Sequence, residues 1–471
     1  MTIHVAIVGA YGSAGTAVAD ELVDHPDVRL TLIDDGDPGG GLCILRGCMP
    51  SKEVLSAGAH RFQASDDHRL EGTPTVDLEA VVETKERHVT NFAEHRRAAV
   101  HEWAERDDVD LLRETARFVA PGTLAVGDRR LDPDYVVIAT GSSPFVPDLP
   151  GIGDVDVATS ADVLDATDLP DSGVVMGFGY VGLELVPYLA AAGEMDLTVI
   201  EHDARPLDEA DPAFGDALLE IYREAFDVRV VTEAYEAVVE PLADGGVRLV
   251  VQYADGTEEA IEADQLYAFT GRKPALDGLG LDAAGLEPDE GWVADTMQAT
   301  DDERVFVVGD ANGKEPILHV AKEQGARAAE NLLAHAAGDP LVPYDNVHHH
   351  VVFSGLGVYP YVRVGHSEAS AEAAGIDVVS VRRQASDDGV FATKDVPEGL
   401  ASLVVDANDG TVLGYQGLHY HADVMAKTMQ VLVELGLDVR EVPDRSYHPT
   451  TPEILDGLFR EAAAAVRERN R

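Results

Sequence analysis

The chain has 471 residues but only two cysteines, and both lie in the stretch Gly39-Gly40-Gly41-Leu42-Cys43-Ile44-Leu45-Arg46-Gly47-Cys48-Met49-Pro50-Ser51-Lys52. The composition of this stretch predicts a glycine-rich loop running into a helix, with Cys48 near the helix start and Ser51 and Lys52 in its first turns. A thiol at a helix N-terminus meets backbone N–H groups and the positive end of the dipole, which favours its thiolate. Two such thiols, five positions apart, suit a disulfide that opens and closes during turnover. Two unrelated buried thiols would behave as small apolar residues, and they would seldom be neighbours in such a loop.

Two further stretches offer a second chemistry, the binding of dinucleotides. A strand through His4-Val5-Ala6-Ile7-Val8 leads into Gly9-Ala10-Tyr11-Gly12-Ser13-Ala14-Gly15 and then an apolar helix through Val18, Leu22 and Val23. A second strand, Val28 to Ile33, ends at Asp34, the place where an acid can accept bonds from a ribose. The glycine spacing is one residue longer than usual. Val174-Val175-Met176-Gly177-Phe178-Gly179-Tyr180-Val181-Gly182-Leu183-Glu184 fits Gly-x-Gly-x-x-Gly without insertion. Its helix, Leu185 to Ala192, precedes a strand, Leu197 to Ile200, that ends at Glu201. Glycines let the backbone approach a pyrophosphate, whose charge meets the helix N-terminus. Two such units, about 170 residues apart, imply two dinucleotides facing each other, as hydride transfer requires. Glu201 accepts from a free ribose 2′-OH and repels a 2′-phosphate, which favours NAD over NADP; His202 and Arg205 soften that preference.

The elements that must position these residues fit a large α/β enzyme. A chain of this length predicts two to four domains. Acidic residues number 86 against 35 lysines and arginines, a net charge of −51 spread along the whole chain. Such a surface suits high salt, where self-repulsion is screened, and it excludes nucleic acid as a partner, because phosphates need a basic footprint. No run of about 18 apolar residues appears, so no membrane span is expected. The N-terminal strand begins almost at once, so neither a signal peptide nor a non-cytoplasmic location is expected. In the cytoplasm a cysteine pair is more often catalytic than structural.

With these residues in view, the chain resembles the flavoprotein pyridine-nucleotide disulfide oxidoreductases, the family of dihydrolipoamide dehydrogenase, glutathione reductase and mercuric reductase. Gly41-x-Cys43-x-x-x-Gly47-Cys48-x-Pro50-Ser51-Lys52 resembles the family's redox-active segment, with Leu42 for the usual Thr and Leu45-Arg46-Gly47 for Asn-x-Gly. Ala139-Thr140-Gly141-Ser142, Gly271-Arg272-Lys273-Pro274, Gly309-Asp310 and His448-Pro449-Thr450-Thr451-Pro452-Glu453 resemble later family motifs, in the family's order. The resemblance implies FAD on the first unit, against Gly9, Gly12, Ser13, Gly15, Asp34, Ala116, Thr140, Gly141, Ser142, Asp310 and His319. It implies NAD(P) on the second, against Gly177, Gly179, Tyr180, Gly182, Glu201 and Gly271, with Tyr180 as a gate. Lys52 is assigned to the flavin N5, paired with Glu184. NAD(P)H would reduce FAD, and FAD the Cys43–Cys48 disulfide. Cys48 would stand against the flavin, while Cys43 exchanges with substrate. His448, oriented by Glu453, would carry the proton to the disulfide of the other subunit of a homodimer, and imidazole is the side chain tuned to that task near neutral pH.

The implied fold is α/β: two Rossmann-like dinucleotide-binding domains and a C-terminal α+β dimerisation domain. The expected segments are 1–150 (FAD), 151–270 (NAD(P)), 271–343 (return to the FAD domain) and 344–471 (interface), with a Pro-rich hinge at Pro144 to Pro150. Residues from Val54 to about Arg130 read as largely helical, then short strands. Glu201 favours a dihydrolipoamide dehydrogenase acting on a small dithiol with NAD. The altered lining around Leu42, Leu45 and Arg46, and Gly355-Leu356 where Pro-Glu is usual, favour an NADPH-dependent reductase of a small disulfide such as bis-γ-glutamylcystine. A third possibility is a component docked on a 2-oxoacid dehydrogenase complex through a lipoyl-bearing protein. Mercuric reductase fits poorly, because no cysteine remains for a metal-capturing pair. No metal is expected at His348-His349-His350 either, since adjacent strand positions face opposite ways. His419 and His421 share one face of a strand end and read as structural.

Overall fold

The computed structural model describes residues 2–243 and 245–470. Two compact units are distinguished. The first comprises segments 1–50, 83–145 and 272–346; the second comprises 51–82, 146–271 and 347–471.

In the first unit the parallel strands are ordered Val305–Val307, Tyr135–Ile138, Ile3–Val8, Val28–Ile33 and Val109–Leu112. These strands are apolar almost throughout because both faces of the sheet are covered. Val5, Ile7, Leu30, Leu32 and Val137 belong to the core on one face, and Ala6, Val8, Ile33, Val136 and Ile138 to the core on the other. That split is the two-residue period of a strand made visible. Helices Ser13–Leu22 and Leu318–Ala337 pack so closely that a Cβ on Gly325 would stand 2.7 Å from the Ala14 carbonyl oxygen. A small antiparallel sheet, Ala116–Ala120, Thr123–Val126 and Arg129–Leu131, completes the unit.

The second unit holds another five-stranded parallel sheet, ordered Arg229–Val231, Asp196–Ile200, Ser172–Met176, Gln265–Ala268 and Val157–Ala158. Helices Tyr180–Gly193 and Pro212–Glu224 supply apolar faces to it. The same unit contains an antiparallel sheet ordered His349–Val352, Tyr361–Gly365, Val412–Leu418, Leu400–Asp406 and Val378–Gln384, with helices Ala422–Glu434 and Glu453–Arg469 against it. The fold is thus mixed α/β, with two nucleotide-type parallel sheets and a C-terminal α+β part. No helix among the described residues is long and apolar enough to cross a membrane.

Two sequence expectations need correction. The largely helical stretch expected from Val54 to about Arg130 is two helices, Cys48–Asp66, which stops before Gly72 and Pro74, and Leu78–Trp103, and its short strands begin already at Val109. His419 and His421 do not share a strand face, because the strand ends at Leu418. His419 is buried, and desolvation pushes its pKa down to about 4. His421 adopts a left-handed φ of 69° and caps the next helix.

Candidate active site

Both cysteines are present as thiols rather than as a disulfide. A short helix, Leu42–Leu45, carries Cys43, and Cys48 opens helix Cys48–Asp66. Cys48 is exposed and Cys43 is half-buried. The Cys43 thiol is pushed well above its ordinary range, first by the hydrogen bond it shares with Cys48 and then by burial, with the Arg96 charge opposing.

The loop before Cys43 lies directly on the first glycine turn. A Cβ on Gly41 would come within 2.8 Å of the Gly12 Cα, and one on Gly39 within 2.3 Å of the Tyr11 ring. Gly12 caps helix Ser13–Leu22, and a Cβ on Gly15 would stand 2.3 Å from the Gly9 carbonyl oxygen. The Asp34 carboxyl accepts from the backbone of Tyr11 and of Gly36, both at 2.9 Å, and burial raises its pKa. Arg96 donates to Thr16 Oγ1 (2.8 Å) and to the Tyr11 carbonyl (3.4 Å), while Arg97 donates to the Gly39 carbonyl.

On the same unit, strand Tyr135–Ile138 runs into Thr140, Gly141 and Ser142. The Ser142 hydroxyl donates to Asp310 at 2.6 Å, and Arg272 donates to Ser142 Oγ and O. Asp310 lies in the turn Gly309–Asn312, and His319 is the second residue of helix Leu318–Ala337. Ala116 opens its strand and is buried. Among the described residues the buried Thr140 hydroxyl has no hydrogen-bond partner, and a Cβ on Gly141 would meet nothing within 4 Å. An orphaned donor beside open space, an uncrowded glycine and a capping glycine at a helix N-terminus fit a bound dinucleotide.

In the second unit, Lys52 Nζ lies 2.7 Å from Glu184 Oε2 and 4.3 Å above the Phe353 ring. The other Glu184 oxygen accepts from the Phe353 backbone at 3.1 Å. Both side chains are largely withdrawn from water, so the charge pair is fixed in place.

At the second glycine turn, Gly179 caps helix Tyr180–Gly193, and a Cβ there would meet nothing within 4 Å. Gly182 closes on the Gly177 carbonyl. Tyr180 begins the helix and donates its hydroxyl to Glu209 at 2.7 Å, with the His350 ring tilted against its own at 5.2 Å between centroids. Glu201, its pKa raised by burial, accepts from the Asp203 backbone. His202 lies 2.6 Å from Glu236 and Arg205 2.8 Å from Asp216, so both side chains already face carboxylates. Gly271 takes a φ of +87° with no neighbour near its Cβ position.

His448 is exposed, and its Nδ1 stands 3.1 Å from both oxygens of Glu453. Glu453 also accepts from the Thr450 backbone at 2.8 Å, and the two bonds lower its pKa. With Nδ1–H donated to the carboxylate, Nε2 is the nitrogen that faces outward.

Residues absent from the sequence-based set are Tyr11, Arg96, Arg272, Glu209, His350 and Asp456. Arg272 stands in a motif that was recognised, but only its bond to Ser142 gives it a place. The histidine triplet forms a hydrogen bond, His348 Nε2 to His350 Nδ1 at 2.8 Å. Among the described residues one group, Asp67, His68 and Asp395, brings metal-type ligand atoms within 4.8 Å, but Arg69 already claims both oxygens of Asp67.

Comparison with known proteins adds the following. The family described as pyridine nucleotide-disulphide oxidoreductase matches residues 3–325, and its dimerisation domain matches residues 351–458. A dihydrolipoyl dehydrogenase of the archaeon Haloferax volcanii is 29% identical over 99% of the chain and 97% of the relative. A mercuric reductase of Shigella flexneri is also 29% identical, over 97% of the chain and 79% of the relative. Among solved structures, the Cu(II) complex of the HOCl-induced flavoprotein disulfide reductase RclA from Escherichia coli superposes with a TM-score of 0.81 at 22% identity, covering 98% of the chain and 99% of that one. LpdA from Mycobacterium tuberculosis superposes with a TM-score of 0.80 at 21% identity, with the same coverage.

Proposed function

Because the chain belongs to the pyridine nucleotide-disulphide oxidoreductase family, and is thus a flavoprotein disulfide oxidoreductase that uses FAD and NAD(P), we propose that it is of the dihydrolipoamide dehydrogenase type. In this reading it oxidises dihydrolipoamide to lipoamide with NAD as acceptor. The observation that carries the choice is the acid at the end of the second unit's strand. Glu201 ends the strand at the position where a ribose 2′-OH would be recognised, and the neighbouring His202 and Arg205 side chains are already paired with Glu236 and Asp216. Neither His202 nor Arg205 is thus left unpaired to meet a 2′-phosphate. Full-length likeness to dihydrolipoyl dehydrogenases of Haloferax volcanii and Halobacterium salinarum supports the same reading.

The chain's own residues supply the thiol chemistry. A substrate thiolate attacks Cys43 of the Cys43–Cys48 disulfide, and Cys48 leaves as thiolate. The second substrate thiol gives its proton to His448 Nε2 and attacks the mixed disulfide, so that Cys43 departs and the substrate is released as a disulfide. Glu453 fixes the tautomer that makes Nε2 the accepting atom. His448 serves the cysteine pair of the other subunit, and the matched dimerisation domain supports a homodimer. Gly9, Gly12, Ser13, Gly15 and Asp34, with Thr140, Ser142 and Asp310, would hold FAD. Gly177, Gly179, Gly182 and Glu201 would hold NAD, while Lys52 and Glu184 would fix a positive charge near the flavin. When bound there, FAD and NAD would supply the two-electron chemistry that accepts the electron pair of the Cys43–Cys48 dithiol.

A second reading is the NADPH-dependent reduction of a small disulfide such as bis-γ-glutamylcystine. Exposed Arg46, between the two cysteines, favours it because it would meet a substrate carboxylate. Docking on a 2-oxoacid dehydrogenase complex is a further possibility, for which a lipoyl-bearing protein should co-purify.

The deciding assay uses purified protein in molar salt with NADH and NADPH against lipoamide, bis-γ-glutamylcystine and glutathione disulfide. Turnover of lipoamide with NADH supports the first reading; turnover of bis-γ-glutamylcystine with NADPH alone replaces it with the second. Cys43→Ser and Cys48→Ser should each abolish turnover, and activity surviving in either sinks the thiol relay.

A further inference from the structure

The segment that carries His448 has an unusual means of support. Among the described residues, no backbone–backbone hydrogen bond involves positions 442 to 449. Backbone polar groups need partners, and here they are supplied from one face of the C-terminal helix, Glu453–Arg469. Arg460 donates to the Asp444 carbonyl at 3.0 Å. Asp456 accepts from the Ser446 backbone N–H at 2.6 Å and from its hydroxyl at 3.0 Å. Glu453 takes His448 Nδ1 and the Thr450 N–H. Positions 453, 456 and 460 recur at three and four residues, so they line one face and hold successive points of the loop.

Asp456 is the unusual member. It is a carboxylate only 7% exposed, on a helix whose neighbouring positions Ile454, Leu455, Leu458 and Phe459 are core. An unpaired carboxylate there would be costly, yet this one is satisfied by Ser446 and sits in the helix's first turn, where the dipole favours an anion. Its bonds end two residues before His448.

We propose that Asp456 is a positioning residue for thiol–disulfide exchange: by clamping Ser446 it fixes the loop that aims His448 Nε2 at the cysteine pair. Glu453 alone sets the ring's tautomer but leaves the loop free to swing about Thr450. The second clamp removes that freedom. The inference rests on the acid–base role proposed above for His448, and the experiment separates the two.

NADH-reduced holoenzyme is alkylated with iodoacetamide at pH 6, below the ordinary thiol range, where Cys43 reacts quickly only if an imidazolium stabilises its thiolate. Flavin content and dimer size are checked for each variant. His448→Ala should slow alkylation roughly 100-fold, because without an imidazolium beside it the Cys43 thiol keeps its proton at pH 6. Asp456→Ala should slow it about tenfold with flavin reduction by NADH unchanged, because a swinging loop keeps the imidazole but loses its aim. Asp456→Asn, which can accept from the Ser446 N–H and donate to its hydroxyl, should stay within about twofold of the unmodified enzyme. Ser446→Ala, which keeps the backbone bond, should fall between Asn and Ala and serves if Asp456→Ala does not assemble. An unaltered rate in His448→Ala ends the parent reading. A slow His448→Ala beside an unaltered Asp456→Ala, or an Asp456→Asn as slow as Asp456→Ala, overturns the clamp alone.

Discussion

The two glycine turns perform one geometric task with different lengths of chain. In the second unit Gly177 and Gly182 are five positions apart, and a Cβ on Gly182 would come within 2.6 Å of the Gly177 carbonyl oxygen. In the first unit Gly9 and Gly15 are six apart, yet the corresponding approach is 2.3 Å. The middle glycine caps the helix in both. What is preserved is therefore the closure between first and third glycines and the free N-terminus, not the spacing. The surplus residue is absorbed inward: Tyr11 is buried, bonds His101 through its hydroxyl at 2.8 Å, and gives its backbone N–H to Asp34. The first turn is thereby tied to its own acid and, through Gly39 and Gly41, to the cysteine loop. In the second turn Phe178 fills the single intervening position, and Glu201 is anchored instead by the Asp203 backbone.

The sharpest way to break this comparison is to crowd each closure. Gly15→Val should give protein without the yellow chromophore, whereas Gly182→Val should keep the chromophore and raise the KM for NADH roughly 100-fold, a loss of about 3 kcal/mol. Absorbance and steady-state kinetics read both, and equal loss of flavin in the two variants would mean that the turns do not serve separate nucleotides. Next in size, Tyr11→Ala should destabilise the protein by about 3–5 kcal/mol in denaturant titrations and loosen flavin as well, while Tyr11→Phe, which loses only the bond to His101, should cost about 1 kcal/mol. A flavin affinity untouched by Tyr11→Ala would detach the insertion from the site. Glu201→Ala should raise the NADPH-to-NADH preference about tenfold, because removing one negative charge lifts the repulsion of a 2′-phosphate. An unchanged ratio would show that the second turn discriminates by other means.

The smallest effect is a pH dependence. Burial raises the pKa of both Asp34 and Glu201. A carboxyl with a raised folded pKa binds its proton more tightly when folded, so its contribution to stability is complete below the unfolded pKa and is lost as pH rises through the folded one. Asp34→Asn and Glu201→Gln should each gain stability relative to the parent as pH rises through that window above the ordinary carboxylate range. A variant whose denaturation midpoint tracks the parent at every pH would remove that carboxyl from the account.

Much of the site could be read because its chemistry is local in sequence. Cys43 and Cys48 share one loop, His448 and Glu453 are five residues apart, and the glycine turns announce themselves by strand, turn and helix in order. The resemblance also named Lys52 and Glu184, which the fold brings to 2.7 Å although 132 positions separate them. What escaped is what no local pattern encodes. Tyr11 looked like an extra turn residue and is a buried anchor. His350 reads in sequence as one of three adjacent strand histidines and lies against Tyr180. His202 and Arg205 looked able to soften the coenzyme preference and are taken by Glu236 and Asp216.

The amino-acid order alone determined which groups are available: a lone cysteine pair, two glycine turns each followed by an acid, one histidine with a nearby glutamate, and a strongly anionic surface. These depend on residue type and short-range spacing, which the covalent chain fixes. Only the tertiary structure decided which charged side chains face one another, where the surplus residue of the first turn goes, and that Glu453, Asp456 and Arg460 of the C-terminal helix bond the loop around His448. Those outcomes depend on which distant surfaces meet and exclude water, and burial, not spacing, sets whether a polar group must find a partner.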